Sequence, residues 1–390
     1  MSENLKKITG KNPKDFEPVA YSLINTPDVG LFKELVDKDD YLYDFIKQNV
    51  AKRLENACSK DNYRNLLQLL KYYSPYYEEF IISVLVKYAN EDLTDTMLDL
   101  LQNGTDEEKT YCAKYFSFIK DPLAIEYLNE NAYSENPYLS SNSISALSSF
   151  GEREIYNEAV AKLKSADGFE QLSGAKFLVS YGDKSACNDI IDAVKISSFA
   201  EHIASELPYL VSLKEILKFN KINGLFILNL IINGLGEVSA LSQVFDFELY
   251  EIFEGIINDD VMTSEIAVVL LNAADKFETL TENDEYLFDE NKDTKQEIFD
   301  IKKLFSCLSK NELIRIADNE LRQDSLFVFN ALEFTQNIQK VKDLLNSDNQ
   351  TLVLKSVEIL KKHNVLSDND KNIALTKVTN ENIKNIILAI

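Results

Sequence analysis

Two pairs of carboxylates have the residue types and the spacing that binding of a cationic segment would need. Asp95 and Asp99 stand four positions apart, as do Glu126 and Glu130, and 31 residues separate one pair from the other. Asp192 lies three such intervals after Asp99. Positions i and i+4 share one face of a helix, where like charges are slightly destabilising. These residues are candidates for binding a basic peptide or protein segment. The alternative is an ordinary solvated face of an acidic protein.

A cluster of tyrosines is the second candidate for partner binding. Tyr72 and Tyr73 precede a Ser74-Pro75 pair, and Tyr76 and Tyr77 follow it. Exposed together, the four rings could grip a ligand peptide, since aromatic residues are common at binding hot spots. The alternative is structural: Ser74 caps a helix, and the tyrosines wedge the turn in front of it.

The acidic segment 278–297 contains a partial match to a calcium-binding loop. Five of its residues fit loop positions 1, 3, 5, 9 and 12: Asp289, Asn291, Asp293, Glu297 and Asp300. The glycine required at position 6 is replaced by Thr294, position 8 is the polar Gln296, and position 12 is Asp where a bidentate Glu is usual. We therefore predict a solvated acidic linker and no metal site.

Catalytic motifs are missing from the chain. The two histidines, His202 and His363, have no Cys or carboxylate at a metal-ligand spacing, and no G-x-S-x-G, P-loop or H-E-x-x-H occurs. Segment 233–239 mimics a dinucleotide-binding loop, but the apolar residues before it step by three and four, which favours a helix ending at Gly234. We predict no catalytic residue, no cofactor and no enzyme activity.

An internal repeat of 31 residues predicts the helices that would carry these candidates. With Ala89, Lys120, Gly151 and Gly182 as origins, apolar residues stand at offsets −7, −4, −1, +4, +8 and +12 in all four copies. Steps of three and four align residues on one helix face. Each copy is therefore predicted to be a helix, a tight turn and a second helix. The carboxylates fall on the second helices, opposite the apolar stripe.

The starts of some helices are also marked. Asp121-Pro122 and Asn136-Pro137 each combine a capping residue with proline at the first helical position. Because one helix pair cannot bury both of its faces, the pairs must stack on one another. The next expected origin, Leu213, fails, because charged residues occupy core offsets and Pro208 interrupts the pattern.

Segment 175–186, together with Ile190 and Val194, resembles a HEAT-like repeat of the short bacterial type found in phycobilisome-lyase-like proteins. The resemblance rests on an Ala/Leu-rich first helix, the Gly182-Asp183 turn and the apolar offsets of the second helix. It covers residues 78–195 clearly and the remainder more weakly. It implies an α-solenoid in which second helices line the concave face. It specifies function poorly, and neither lyase activity nor a bilin is inferred.

Charge and composition exclude several classes of protein. The chain has 390 residues and a formal charge of −23, and residues 251–300 carry 15 acidic against three basic side chains, whereas 301–390 carry 11 against 13. Such acidity disfavours nucleic acid and anionic membranes. The first residues lack an apolar leader core, no apolar stretch reaches the ~20 residues of a membrane span, and four scattered cysteines indicate reduced thiols. We expect a cytoplasmic protein.

The predicted organisation has three parts. Residues 1–277 form an N-terminal HEAT-like solenoid, 278–295 an acidic linker, and 296–390 C-terminal helical repeats. Amphipathic segments outside the clear repeats are expected at 261–275, 296–307, 324–334, 349–362 and 380–390. The basic C-terminal part is a candidate to dock on the acidic segment through four lysines: Lys302, Lys303, Lys361 and Lys362.

The predicted fold is therefore all-α, an α-solenoid of stacked antiparallel helix pairs in a HEAT-like superhelix. The predicted function is a non-catalytic scaffold that presents a curved surface to a protein or peptide partner, with a basic partner favoured by the carboxylates. One alternative is an enzyme or cofactor-handling accessory of the chromophore-lyase kind. Another is a nucleic-acid reader of the helical-repeat DNA glycosylase kind, which the acidic face opposes.

Overall fold

A computed structural model describes residues 12–37, 44–236, 262–283 and 308–390, together with the single residues Val244 and Lys303. Within these ranges every regular element is helical, which confirms the predicted all-α helical-repeat fold. The first α-helices are α1 Glu17–Ile24, α2 Val29–Asp37, α3 Asp44–Ala57, α4 Pro75–Lys87, α5 Glu91–Asn103, α6 Asp106–Ile119, α7 Ile125–Asn131, α8 Pro137–Phe150, α9 Glu154–Leu163, α10 Gly168–Tyr181 and α11 Cys187–Ile196. They are followed by α12 Ala200–Glu206, α13 Leu213–Phe219, α14 Lys221–Gly234, α15 Ser264–Asn283, α16 Lys310–Ala317, α17 Val328–Phe334, α18 Ile338–Leu344, α19 Gln350–Lys362, α20 Asp368–Lys377 and α21 Glu381–Ala389.

The chain divides into two compact units. The first comprises residues 1–162 and 176–183, and the second comprises 163–175 and 184–390. This division differs from the predicted boundary at the acidic linker. In addition, α15 continues through Asn283, so that residues 278–283 of the predicted linker are helical.

The apolar stripes of the repeat are where the periodicity predicts them. Of the 24 positions that define the four copies, 21 are buried. The other three, Tyr88, Ile119 and Phe150, are partly buried and all stand at offset −1, the last apolar position before the turn. Both helices of each copy therefore bury one face, as the spacing of three and four requires.

The turn between the two helices uses a left-handed residue in three of the four copies. Gly151 has φ +83° and Gly182 has φ +79°, and Lys120 has φ 55° at the equivalent position. A left-handed residue ends a helix by redirecting its last carbonyls, and glycine does this without steric cost. Lys120 adopts the same conformation at that steric cost. The three copies therefore share the left-handed backbone conformation at this position, although the residue is not glycine in all of them.

Helix starts follow the same 31-residue interval. Ser74, Thr105, Asn136 and Asp167 stand at equivalent positions, and the last three accept hydrogen bonds from the first-turn backbone of α6, α8 and α10. Thr105 forms a complete capping box with Glu108. Ser74 occupies the cap position of α4, but its hydroxyl makes no capping bond, so capping by its side chain was wrongly predicted. The predicted starts at Asp121-Pro122 and Asn136-Pro137 are confirmed.

Side chains also connect neighbouring copies near the turns. In the first unit the Arg153 guanidinium lies 2.8 Å from the Asp183 carboxylate and 4.6 Å from the centre of the Tyr156 ring. In the second unit the Gln350 amide oxygen accepts hydrogen bonds from the backbone of Thr379 and Asn380 at 2.7 and 2.8 Å. The Arg153–Asp183 contact and the two Gln350 contacts each span about one repeat.

The second unit is less regular, as the failure of the repeat at Leu213 predicted. Helix α14 ends at Gly234, which confirms the helical interpretation of that segment against the nucleotide loop. The predicted segments at 261–275, 324–334, 349–362 and 380–390 correspond to α15, α17, α19 and α21. Helices α16, α18 and α20 were not predicted. Most of the predicted segment 296–307 lies outside the described residues.

Candidate functional site

The paired carboxylates lie on two neighbouring second helices, α5 and α7. Asn90 caps α5 by accepting a hydrogen bond from the Leu93 backbone at 3.0 Å, and Asp121 caps the start of the α7 segment, 31 residues later. The Asn131 amide also donates to the Leu101 carbonyl at 3.3 Å, which ties α7 to α5. Equal caps one repeat apart place the two helices in the same register, so each carboxylate of one pair has its counterpart in the other.

All four of these carboxylates are exposed. Asp95, Asp99, Glu126 and Glu130 point away from the buried stripes of their helices. Asp99 accepts a hydrogen bond from the Asn103 amide at 2.8 Å. Within the described part of the chain, none of the four forms an ion pair with a lysine or arginine. The face is therefore acidic, open to solvent and without a cation from the described residues.

Asp192 differs from the other four. It is exposed on α11, a helix of the second unit, and its carboxylate lies 3.0 Å from the Lys195 ammonium. Because this neighbour already neutralises it, Asp192 has less to offer to a basic partner than the residues on α5 and α7.

The four clustered tyrosines are not exposed together. Tyr76 is 48% exposed, but Tyr77 is only 1% exposed and packs edge-on against Phe32, with ring centres 5.6 Å apart. Tyr73 is half-buried against Tyr111 and Tyr138. A common aromatic grip on a ligand, expected as one possibility, is therefore not the arrangement in the structure, and Tyr77 belongs to the core.

A buried hydroxyl holds the turn in front of α4. The Tyr111 hydroxyl accepts a hydrogen bond from the Ser74 backbone N–H at 3.1 Å and donates one to the Tyr72 carbonyl at 3.2 Å. Tyr111 thus satisfies two backbone groups that the turn leaves unpaired. Tyr72 itself is partly exposed, with the Lys33 ammonium 5.9 Å from its ring centre. The tyrosines wedge the turn, as the structural alternative proposed.

A buried carboxylate adjoins this turn. Glu78 is only 8% exposed, and its Oε1 accepts a hydrogen bond from the Asn142 amide at 3.1 Å. Burial raises the pKa of the Glu78 carboxyl, while the nearby Lys114 ammonium and the Asn142 amide oppose that shift. Burial, together with the Glu78 charge, raises the pKa of Tyr73. The polar cluster brings together side chains of α4, α6 and α8.

A groove of about 640 Å³ lies beside this cluster, between α3, α4 and α6. Its apolar wall includes Phe80, Val86 and Phe118, the last of which is 58% exposed. Charged side chains also line it: Glu55, Glu79, Lys87 and Lys114. A volume of this size falls within the ~300–1,000 Å³ of typical ligand pockets.

The nucleophilic and metal-binding side chains are dispersed. Cys58, Cys112 and Cys187 are free thiols, and burial raises the pKa of Cys58 to about 11. Burial also raises the pKa of Cys112 and Cys187, so the thiolate form is disfavoured at all three. Over the described ranges, no three His, Cys, Asp or Glu side chains gather where they could hold a metal ion.

The calcium-loop candidates Asp289, Asn291, Asp293, Glu297 and Asp300 lie outside the described residues. So does Lys302. Of the lysines that are candidates to dock on the acidic segment, Lys362 lies 3.7 Å from Glu333. A different lysine, Lys310, approaches the start of that segment, with its ammonium 3.7 Å from Glu278. In the described part of the chain, no helix combines the length and apolar character needed to cross a bilayer.

No protein-family model matches the chain, and no curated protein matches it.

Sequence reasoning missed the groove and the buried glutamate, although a signal for Glu78 exists. Glu78 stands four positions before Ile82 and seven before Leu85, both on the buried stripe of α4. A charged residue in register with an apolar stripe is expected to be buried, and buried charges need polar partners. The groove had no such signal, because its lining residues come from three helices whose arrangement is a tertiary property.

Proposed function

We propose that the protein is a non-catalytic helical-repeat scaffold whose α5–α7 face binds a basic segment of a protein partner. The observation that carries this proposal is the register of the exposed carboxylate pairs. Asp95 and Asp99 on α5 repeat as Glu126 and Glu130 on α7 at the same helix positions, without an ion-pairing cation from the described residues.

The physical argument concerns what four in-register carboxylates can do for one ligand. Each exposed charge pair contributes only about 0–1 kcal/mol and is weakened by salt. Four carboxylates on one face sum their potentials, which steers a basic segment and raises its association rate more than its final affinity. We therefore expect moderate affinity that falls steeply with ionic strength.

A pair of matched charge reversals tests the proposal. One variant combines Asp95→Lys with Glu126→Lys, and the control combines Asp61→Lys with Glu135→Lys, two exposed acidic residues outside α5 and α7. Both variants change the net charge by the same amount. Titration with a fluorescent oligolysine peptide should show about tenfold weaker binding for the first variant, as expected from the loss of two exposed charge pairs. Binding by the control should equal that of the native chain.

Capture from native lysate of the source organism then identifies the natural partner. Proteins with basic segments should be retained by the native chain and the control and lost from the first variant. Equal oligolysine affinity for both variants, or the same captured proteins, would show that the α5–α7 face is not the binding surface.

The same proposal includes a protein class, the short HEAT-like repeats, and a cellular location, the cytoplasm. The 31-residue helix pairs with a left-handed residue between them support membership of the short HEAT-like repeat class. A cytoplasmic location is supported by the free thiols at Cys58, Cys112 and Cys187. The acidic α5–α7 face disfavours a nucleic-acid partner.

A second candidate function, in ligand or cofactor handling, is supported by the groove between α3, α4 and α6. Phe80, Val86 and Phe118 would contact an apolar body, and Lys87 and Lys114 would pair with an acidic group on it. Native mass spectrometry of the purified chain, together with its absorbance spectrum, tests this candidate. A small molecule that is bound to the native chain and lost from Phe118→Ser would favour this candidate. If all of the folded native chain has the mass of the polypeptide alone, the result counts against it.

A further inference from the structure

The second unit contains a cavity with the opposite electrostatic character to the rest of the chain. It has a volume of about 720 Å³ and lies between α14, α15, α16, α17 and α19. Two carboxylates line it, Asp275 and Glu333. Four lysines line it as well: Lys276, Lys310, Lys355 and Lys362. The ionisable side chains of the wall therefore leave a net charge of +2, in a chain whose formal charge is −23.

The lysines are only partly neutralised by their neighbours. Lys276 donates a hydrogen bond to the Asn233 carbonyl at 2.9 Å, and the contact involves no carboxylate. An ammonium has three donors, so this bond leaves two for a further acceptor. Lys355 and Lys362 share the single carboxylate of Glu333, and the Lys362 ammonium lies 3.7 Å from it. Lys310 is the exception, since it lies within 4 Å of both Asp275 and Glu278.

Side-chain amides add to the polar character of the same wall. Asn233, Asn272 and Asn330 line the cavity. The Asn272 amide donates to both the carbonyl and the side-chain oxygen of Asn229 at 3.1 Å, and Asn229 is fully buried one turn before Asn233. The Nδ2 of Asn229 has no hydrogen-bond partner. A buried donor without an acceptor is costly. The region beside the cavity therefore contains a hydrogen-bond donor that is still available to an acceptor.

The wall also has an apolar part, and the volume of the cavity limits the size of the ligand that fits. Ile314, Phe329 and Phe334 line the remaining side. They form the smaller, apolar part of a mostly polar lining. A volume of 720 Å³ accommodates a small molecule and is too small for a folded protein segment.

We propose that this lysine-lined cavity is a binding site for a small phosphate-type anion carrying at least two negative charges. Lys276 and Lys362 would supply ammonium donors from α15 and α19, and Lys355 would supply a third when the anion competes with Glu333. The site is independent of the α5–α7 face, which belongs to the other unit. Either proposal can fail without affecting the other.

Calorimetric titration of the full-length chain with pyrophosphate, at constant ionic strength maintained with sodium chloride, tests the site. We expect saturable binding of one pyrophosphate per chain. Lys276→Gln and Lys362→Gln should each weaken it about tenfold, the loss expected for one charge-assisted hydrogen bond. The matched control is Lys340→Gln, because Lys340 also donates to a backbone carbonyl in this unit, that of Asp318 at 2.8 Å, but does not line the cavity. Its affinity should equal the native value.

Lysine acetylation followed by mass spectrometry gives a readout that does not depend on any variant folding. Pyrophosphate should slow acetylation of Lys276, Lys355 and Lys362 and leave Lys340 unchanged. Absence of saturable heat at millimolar pyrophosphate would overturn the proposal. So would equal weakening by Lys340→Gln and Lys276→Gln, or equal protection of all four lysines from acetylation.

Discussion

Helices α4 to α8 of the first unit each bury one face and expose the other, whereas α14 of the second unit is buried continuously from Gly224 to Ile232. The first arrangement produces a repeating surface, on which the carboxylates of α5 and α7 recur one repeat apart. The second produces a central helix without a polar face, and nearby helices meet around a polar cavity. The carboxylates of the first unit are therefore displayed on a repeating helix surface, whereas the lysines of the second unit gather in a cavity that is open to solvent.

The repeat has already failed in the sequence at Leu213, before α14 begins. A repeat can be detected because each helix alternates between apolar and polar faces, and α14 has lost that alternation. Gly224 shows how closely α14 is packed, since a Cβ at that position would lie 2.8 Å from the Cα of Leu217 on α13. Helices that stack regularly bury one face each, whereas α14 is buried on all sides. Only the first arrangement produces a periodic pattern of apolar residues in the sequence.

The largest effect is expected from opening a cavity in the enclosed helix. Leu228 on α14 is fully buried, and Leu228→Ala should lower the free energy of unfolding by about 3 kcal/mol, the usual cost of a large-to-small core substitution. Hydrogen exchange should show lost protection in α12 to α15. The matched variant Leu128→Ala, also fully buried but on α7, should lower protection in α5 to α8 instead. Identical exchange patterns for the two variants would mean that the two units unfold as one.

The next effect concerns the left-handed turns of the repeat. Gly151→Ala and Gly182→Ala should each destabilise the first unit by about 1–2 kcal/mol, because a Cβ is unfavourable at positive φ. Neither glycine has a neighbouring atom that a Cβ would meet, so the cost isolates the backbone term. Lys120→Gly should stabilise the same unit by about 0.5–1 kcal/mol. Urea unfolding measures all three, and a destabilising Lys120→Gly would contradict the common role of the three positions.

A smaller effect separates two equivalent cap positions. Thr105→Ala should cost about 1 kcal/mol, because it removes the capping box of α6. Ser74→Ala, one repeat earlier, should change the free energy of unfolding by at most a few tenths of a kcal/mol, since the Ser74 hydroxyl is buried and unpaired. Thermal unfolding of both variants measures the difference. Equal losses would show that the hydroxyl of Ser74 caps α4 after all.

The smallest effect depends on pH and involves Glu78. Its pKa in the folded chain is raised above 4.5, so between 4.5 and the raised value the folded state binds more protons than the unfolded state. The free energy of unfolding must then decrease as the pH rises through this window, and the full stabilisation is present only below it. Glu78→Gln keeps an acceptor for Asn142 and should remove this decrease. The variant should therefore be more stable than the native chain at neutral pH. Below pH 4.5 it should be no more stable than the native chain.

Urea unfolding at several pH values between 4 and 8 measures this change. The control is Glu135→Gln, which removes an exposed carboxylate outside α4 and should retain the native profile. A profile for Glu78→Gln that parallels the native one would exclude Glu78 as the source of the pH dependence.

The features that were predictable were those encoded by local spacing. The buried positions of the repeat, the caps at Asp121 and Asn136 and the end of α14 at Gly234 follow from neighbours within one or two helical turns. Helices α16, α18 and α20 were missed because they are short and their apolar stripes are brief. Their starts were nevertheless marked by the capping residues Ser309, Asn337 and Ser367.

The sequence by itself determined the all-helical class, the 31-residue repeat and the exposure of Asp95, Asp99, Glu126 and Glu130, because helix periodicity alone assigns each residue to a buried or an exposed face. The tertiary structure alone decided that Tyr77 lies in the core while Tyr76 is exposed, and that Glu78 meets Asn142. It also decided that lysines from α15, α16 and α19 line one cavity. Contacts of this kind depend on how distant helices pack, and the spacing of residues along one helix carries no information about them.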